Sequence, residues 1–243
     1  MSQLQLNGPN EPVDHYKEFY GRSTEQMPML IADGRVPMSV NGLMQRNLEV
    51  LEKDASGMYK FSDPVRSAWM DNYFDTGDAI ALHPNGNIKV VLDAQPLREM
   101  NSRSQLSDCA LVLPDGMYEK LEGHEFTREQ IKNYIDKWLA RDEAKSNPLW
   151  LALARDSNIL NSYVDSIFAQ ASQRFKYDKN MGLYVPDTPK EPQMRSWCIG
   201  GLSNRSLANG RLDLDNEAGR LVGVGSEARV AQKSATLEHK VQE

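Results

Sequence analysis

Apolar and polar positions alternate with period two on either side of Pro84-Asn85-Gly86, within the stretch DTGDAIALHPNGNIKVVLDAQ from Asp75 to Gln95. This alternation predicts a β-hairpin. Proline presets φ at the first turn position, asparagine tolerates the second, and glycine takes the left-handed third. The loop therefore has three residues and closes in a bulge. His83 then faces Asn87, Leu82 faces Ile88, Ala81 faces Lys89 and Ile80 faces Val90. One face collects Ile80, Leu82, Ile88 and Val90, and the other Ala81, His83, Asn87 and Lys89. A two-residue Asn85-Gly86 loop would set Leu82 against Lys89 and mix the faces, so the pattern selects the longer loop.

A period near 3.6 takes over between residues 126 and 176. Thr127 and Gln130 have capping-box spacing, and Ile131, Tyr134, Ile135, Trp138 and Leu139 follow on one helical face, predicting a helix over 127–140. Asn147 and Pro148 open a short helix, apolar nearly all round. Asp156 or Ser157 opens the best helix, 157–175, with Leu160, Tyr163, Val164, Ile167, Phe168, Ala171 and Phe175 in one stripe. Upstream, Val40, Leu43, Met44, Leu48 and Leu51 mark a helix over 39–51, and Asp63-Pro64 starts another that runs through Trp69 to about Phe74. Met27 to Met38 reads as two short apolar runs around an Asp33-Gly34 turn.

Cys109 to Leu113, Gly182 to Pro186 and Ser196 to Ile199 read as strands. Arg211–Asp215 and Arg220–Val224 alternate around a four-residue turn, which predicts a second hairpin with Asp215 opposite Arg220 and Leu214 opposite Leu221. Strands and helices are segregated along the chain. That order predicts an α+β fold of antiparallel hairpins with a helical segment at about 126–176. The expected layout is a flexible leader over 1–12, one domain over 13–225 and a loose or disordered tail over 226–243. A split into two subdomains near 120–126 is the alternative.

Composition narrows the function more than it defines it. The chain has 243 residues, 40% hydrophobic and 26% charged, enough for a sizeable core without disulfides or a metal. Its net charge of −6 and pI near 5.4 argue against a dedicated nucleic-acid binder. Mean hydropathy is −0.59, and no run approaches the roughly 18 apolar residues of a membrane span. The N-terminal MSQLQLNGPNEP is no signal peptide, so the expectation is a soluble, cytoplasmic protein with no membrane contact. Cys109 and Cys198 match no metal spacing and read as reduced packing residues.

The motifs fail one by one. Gly223, Gly225 and Ala228 have the spacing of a dinucleotide fingerprint, but the sequence that follows is too short for the acidic residue and second strand that the chemistry needs. Asp213, Asp215 and Glu217 open like a calcium loop, but Ala218 and Val224 stand where it needs glycine and a bidentate glutamate. Asp78 and His83 lie on opposite faces of one strand, roughly 16 Å apart, so a metal site with Asp75 and Asp93 is not expected. His124 lacks the second histidine of a zincin motif. No cofactor and no metal are expected, and no catalytic residue is assigned.

One constellation remains. Arg195, Arg205, Arg211 and Arg220 come from consecutive segments among Gly200, Gly201, Ser203, Asn204 and Ser206. Arginine forks match carboxylate and phosphate, so these four are the candidate anion-binding residues. The structural alternative pairs them with Asp213, Asp215 and Glu217. The favoured function is a non-enzymatic binding or structural protein that self-associates or holds a protein partner, as four tryptophans and nine tyrosines permit. The alternative is an enzyme, such as a hydrolase, acting on a small anionic or phosphorylated substrate held by the arginines.

Overall fold

The computed structural model describes residues 3–12, 14–55 and 63–225. The expected tail over 226–243 lies outside them. In chain order the elements are β1 Tyr16–Tyr20, α1 Ser23–Ala32, β2 Val36–Pro37, α2 Val40–Ala55 and α3 Pro64–Asp71. Next come β3 Phe74–Leu82, β4 Ile88–Val91, α4 Gln95–Glu99, β5 Leu106–Ser107, β6 Ala110–Val112, α5 Met117–Lys120 and β7 His124–Phe126. The remainder are α6 Arg128–Ile131, α7 Arg141–Ser146, α8 Pro148–Ala154, α9 Ser157–Phe175, β8 Leu183–Tyr184, β9 Gln193–Ile199, β10 Ala208–Asn209 and β11 Arg220–Val224.

All eleven strands among the described residues join one sheet, whose main path runs β1-β11-β3-β9-β10-β8. The alternative split near 120–126 would fall at β7, which pairs with β4 in that same sheet. β3 and β4 pair with Leu82 opposite Ile88 and Ile80 opposite Val90. Gly86 takes φ +91°, and its N–H donates to the His83 carbonyl. The even positions Ile80, Leu82, Ile88 and Val90 pack under α2, α3, α8 and α9 with Trp69, Trp150, Trp197 and Ile167. The odd positions Ala79, Ala81 and Val91 pack on the opposite face with Met27, Leu30, Leu97 and Met194. Both faces of β3 are therefore buried, and helices cover the sheet on two sides.

Several expectations are corrected. The sheet is mixed, because β11 runs parallel to β3 and β10 parallel to β8. α2 and α3 fall where helices were expected over 39–51 and from Asp63, whereas α1 adds a helix before them that the pattern did not predict. The apolar run from Met27 to the Asp33-Gly34 turn lies in α1, and α3 ends at Asp71, before Phe74 enters β3. The 127–140 helix stops at Ile131 even though both capping-box bonds form. Its continuation is diverted by pairing: the Asp136 N–H donates to the Leu183 carbonyl, and Leu139 exchanges both backbone bonds with Asn180. Ile135 is consequently only partly buried, while Leu139, Leu160, Val164, Ile167 and Phe168 are buried.

The expected 211–224 hairpin does not form. β1 and β3 occupy the two edges of β11, with Arg220 opposite Tyr20 and Leu221 opposite both Phe19 and Asp75. No edge is left for residues 211–215, and the Arg195 side chain binds the carbonyls of Arg211 and Leu212 instead. Gly223 lies inside β11, where an added Cβ would come within 2.8 Å of Phe19 and Arg35, so it serves packing rather than a nucleotide loop. Part of the expected leader is also held: Leu6 is buried, and its carbonyl accepts from Trp69 Nε1 at 2.8 Å and from Arg46 at 3.2 Å.

Two buried carboxylates brace the frame. Asp78 Oδ2 accepts from the Val40 N–H at 2.8 Å, and Oδ1 accepts from the Asp93 N–H at 2.9 Å and from Arg155 at 2.6 Å. Asp75 accepts from the Arg220 N–H at 2.9 Å and lies opposite Cys198 in β9. Burial pushes the Asp75 carboxyl up to about 6 against the lowering effect of those partners.

Candidate functional site

The β8 end of the sheet gathers a surface that the sequence pattern hides. Helix α9 ends at Lys176, which takes φ +60°, and the Tyr177 N–H reaches back to the Ala171 carbonyl at 3.4 Å. That turn stacks Phe175 on Tyr177, with centroids 5.4 Å apart and an interplanar angle of 17°. The Leu139–Asn180 pairing brings Trp138 against Tyr184 of β8, edge to face at 5.6 Å. Trp138 lies close over Gly182, where an added Cβ would be 2.7 Å from the Lys137 carbonyl and 3.0 Å from the indole.

Arginines interleave with these rings. Arg174 lies 5.0 Å over Phe175, and Arg211 lies 5.7 Å over Tyr184. Between them Arg205 lies 4.1 Å from the Tyr177 centroid and 5.0 Å from that of Trp138. The result is a half-exposed stripe in the order Arg174, Phe175, Tyr177, Arg205, Trp138, Tyr184, Arg211. Burial raises the Tyr184 hydroxyl above its ordinary range, and the charge of Asp136 adds to this against Arg211 and Arg205.

The four arginines expected to form one anion site are divided among separate partners. Arg195 is buried against Asp213 at 3.0 Å, and its guanidinium also donates to the carbonyls of Asp108, Arg211 and Leu212. Arg220 pairs with Glu18 at 2.8 Å, donates to Asn72, and lies over Tyr20 and Tyr73. Arg211 pairs with Asp136 at 2.7 Å and donates to the Val185 carbonyl at 2.9 Å. Arg205 has no carboxylate partner among the described residues, and its guanidinium donates only to the Lys179 carbonyl, at 3.4 Å. The structure thus unites Arg205 and Arg211 in the aromatic stripe and assigns Arg195 and Arg220 to fold-bracing pairs. Sequence reasoning missed Trp138, Tyr177 and Tyr184. The available signal was the run of basic and aromatic residues Arg174, Phe175, Lys176, Tyr177, Lys179 and Tyr184.

Two other places hold chemistry. At the hairpin tip a 330 Å³ pocket is lined by His83, Asn85, Lys89, Tyr118, Glu119 and Glu125. Its ionisable groups already face one another. Lys89 is 3.8 Å from Glu125 and donates to the Tyr118 carbonyl at 2.9 Å, while His83 is 3.5 Å from Glu119. Burial, then the charge of Glu125, pushes the Tyr118 hydroxyl well up. Elsewhere, Cys109 Sγ and carboxylate oxygens of Asp213 and Asp215 lie within 4.8 Å of one another, and this trio is the group that could hold a metal ion among the described residues. Arg195, bonded to Asp213, places a positive charge beside it and opposes a cation.

No protein-family model and no curated protein matches the chain. A solved structure described as "Accommodation of massive sequence variation in Nanoarchaeota by the C-type lectin fold" is similar with a TM-score of 0.64 and 16% identity, covering 87% of this chain and 98% of that one. No helix among the described residues is long and apolar enough to cross a membrane. At that level of identity the likeness concerns architecture, and the mixed sheet packed between helices described above has the C-type lectin fold.

Proposed function

We propose that this chain is a non-enzymatic binding protein that holds a protein partner on the arginine–aromatic stripe. The observation that carries this reading is the stripe itself, in which four half-buried rings alternate with arginines at one end of the sheet. Tyr, Trp and Arg dominate the energetics of protein interfaces because they contribute large contact areas and charge-assisted bonds. The rings already lean on one another, so little side-chain entropy remains to be lost when a partner arrives. The similar solved structure is described as accommodating massive sequence variation by the C-type lectin fold, which suits a binding role. The anionic-substrate enzyme reading is less favoured because Arg195, Arg211 and Arg220 already pair with Asp213, Asp136 and Glu18.

The test is selection of peptides against the intact protein from a random library, followed by affinity measurements on variants. Trp138→Ala and Tyr184→Ala should each weaken selected binders by about tenfold or more, as expected for hot-spot truncation. Lys89→Met at the hairpin pocket should leave them unchanged. Binders indifferent to both stripe variants would overturn the reading.

A further inference from the structure

We infer that Arg205 is the anchor of this surface and that it takes a carboxylate from an acidic segment of the partner. The inference rests on the stripe being the binding surface. Arg174, Arg195, Arg211 and Arg220 each have a carboxylate oxygen at 2.8, 3.0, 2.7 and 2.8 Å respectively. Arg205 alone of these five has none among the described residues, and of its five N–H donors one reaches a carbonyl, at 3.4 Å.

Its position is nevertheless fixed. The backbone stands at φ +56°, the Arg205 N–H donates to the Leu202 carbonyl at 2.9 Å, and its own carbonyl accepts from the Met181 N–H at 2.8 Å. Tyr177 and Trp138 hold the guanidinium, and the Tyr177 hydroxyl is itself tied to the Ser203 carbonyl at 3.3 Å. A planar fork already oriented, weakly hydrated and short of acceptors suits a two-oxygen acceptor, which it can grip bidentately.

Carboxylate and phosphate share that chemistry, and the surroundings favour a protein carboxylate. A polynucleotide needs a row of free cations, but Asp71 and Asp136 already neutralise Arg174 and Arg211 on either side. The rings flanking Arg205 add an apolar contact, so the favoured ligand is a Glu or Asp next to an aromatic residue.

The experiment follows the Arg205 Nε–Hε signal of the intact, 15N-labelled protein by NMR. The probes are an acetylated, amidated Trp-Glu-Trp-Glu peptide, its Trp-Gln-Trp-Gln twin and an oligothymidylate. The Glu peptide should move the Arg205 signal and the Gln twin should not. Arg205→Lys should weaken the Glu peptide by about tenfold or more, the scale of one charge-assisted bond, whereas Lys89→Met should not. Should the Lys variant fail to fold, the Glu-versus-Gln comparison on the native protein still decides. Equal effects of the two peptides, no shift of Arg205 with either, or stronger binding of the oligothymidylate would each overturn the carboxylate assignment. Equal peptide binding that Trp138→Ala abolishes would overturn it while leaving the binding reading in place. Selected binders mapping elsewhere would remove both.

Discussion

Glu11→Gln tests whether the N-terminal segment is part of the fold. Arg46 in α2 is 1% exposed at its side chain and grips both Glu11 oxygens, at 2.7 and 2.6 Å. Glu11 also accepts from Lys53 at 2.7 Å and from the Gly8 N–H at 2.7 Å. The guanidinium sits 4.8 Å over Tyr16 and 5.4 Å over Trp69. Burial works to raise the Glu11 carboxyl, but the bonds from Arg46, Gly8 and Lys53 outweigh it and bring it to about 2 from 4.5. At about 1.4 kcal/mol per unit this corresponds to about 3 kcal/mol. Breaking a buried pair from one side costs a similar ~3–5 kcal/mol. Glu49 at 3.2 Å remains beside Arg46 in the variant, and Lys53 reaches Glu11 from partly solvated positions, which lowers both figures. The expected loss is about 2–3 kcal/mol, or about 4–12 °C in Tm.

The sign with pH is set by the depressed carboxyl. Its contribution is complete above pH 4.5 and disappears as pH falls towards 2. Thermal and urea melts of wild type and variant should therefore differ at pH 7 and converge at pH 2. A difference below about 0.5 kcal/mol at pH 7, or one unchanged at pH 2, would refute the clamp.

Asp75→Asn addresses a carboxyl shifted the other way. Its raised folded pKa gives stability complete below the unfolded value of 3.8 and lost as pH rises through about 6, so wild type should lose about 2–3 kcal/mol across that window. The Asn variant should lack that slope, and parallel pH–stability curves would show the assignment to be wrong. Gly182→Ala should cost about 1–2 kcal/mol, the overpacking penalty less the gain in backbone restriction, and should shift Trp138 emission. An unchanged spectrum would mean that the indole does not depend on that close approach. Phe168→Ala should lose about 3–4 kcal/mol by denaturant titration, since the ring is only 9% exposed, and a loss below about 1 kcal/mol would remove it from the core.

The β3–β4 register was legible because pleat alternation and one glycine at positive φ leave a single loop length that keeps Ile80, Leu82, Ile88 and Val90 together. Helix starts at Asp63, Asn147 and Asp156 were legible for the same kind of reason, since a side chain caps its own backbone within three residues. These are local signals. The partners of β11, the early stop of α6 and the mixed sheet were settled by bonds between segments far apart in sequence, which periodicity does not encode. The binding surface lay further out of reach. Trp138 and Phe175 read as core stripe positions, and Arg205 and Arg211 as members of an anion site. The pairing of Leu139 with Asn180 and the left-handed turn at Lys176 are what turn those rings to the surface. The sequence by itself determined the hairpin, the caps and the buried stripe of α9 from Leu160 to Ala171. Tertiary pairing alone decided which arginines meet carboxylates and, among the described residues, left Arg205 between two rings without one, because that choice depends on distances across the fold and not on spacing along the chain.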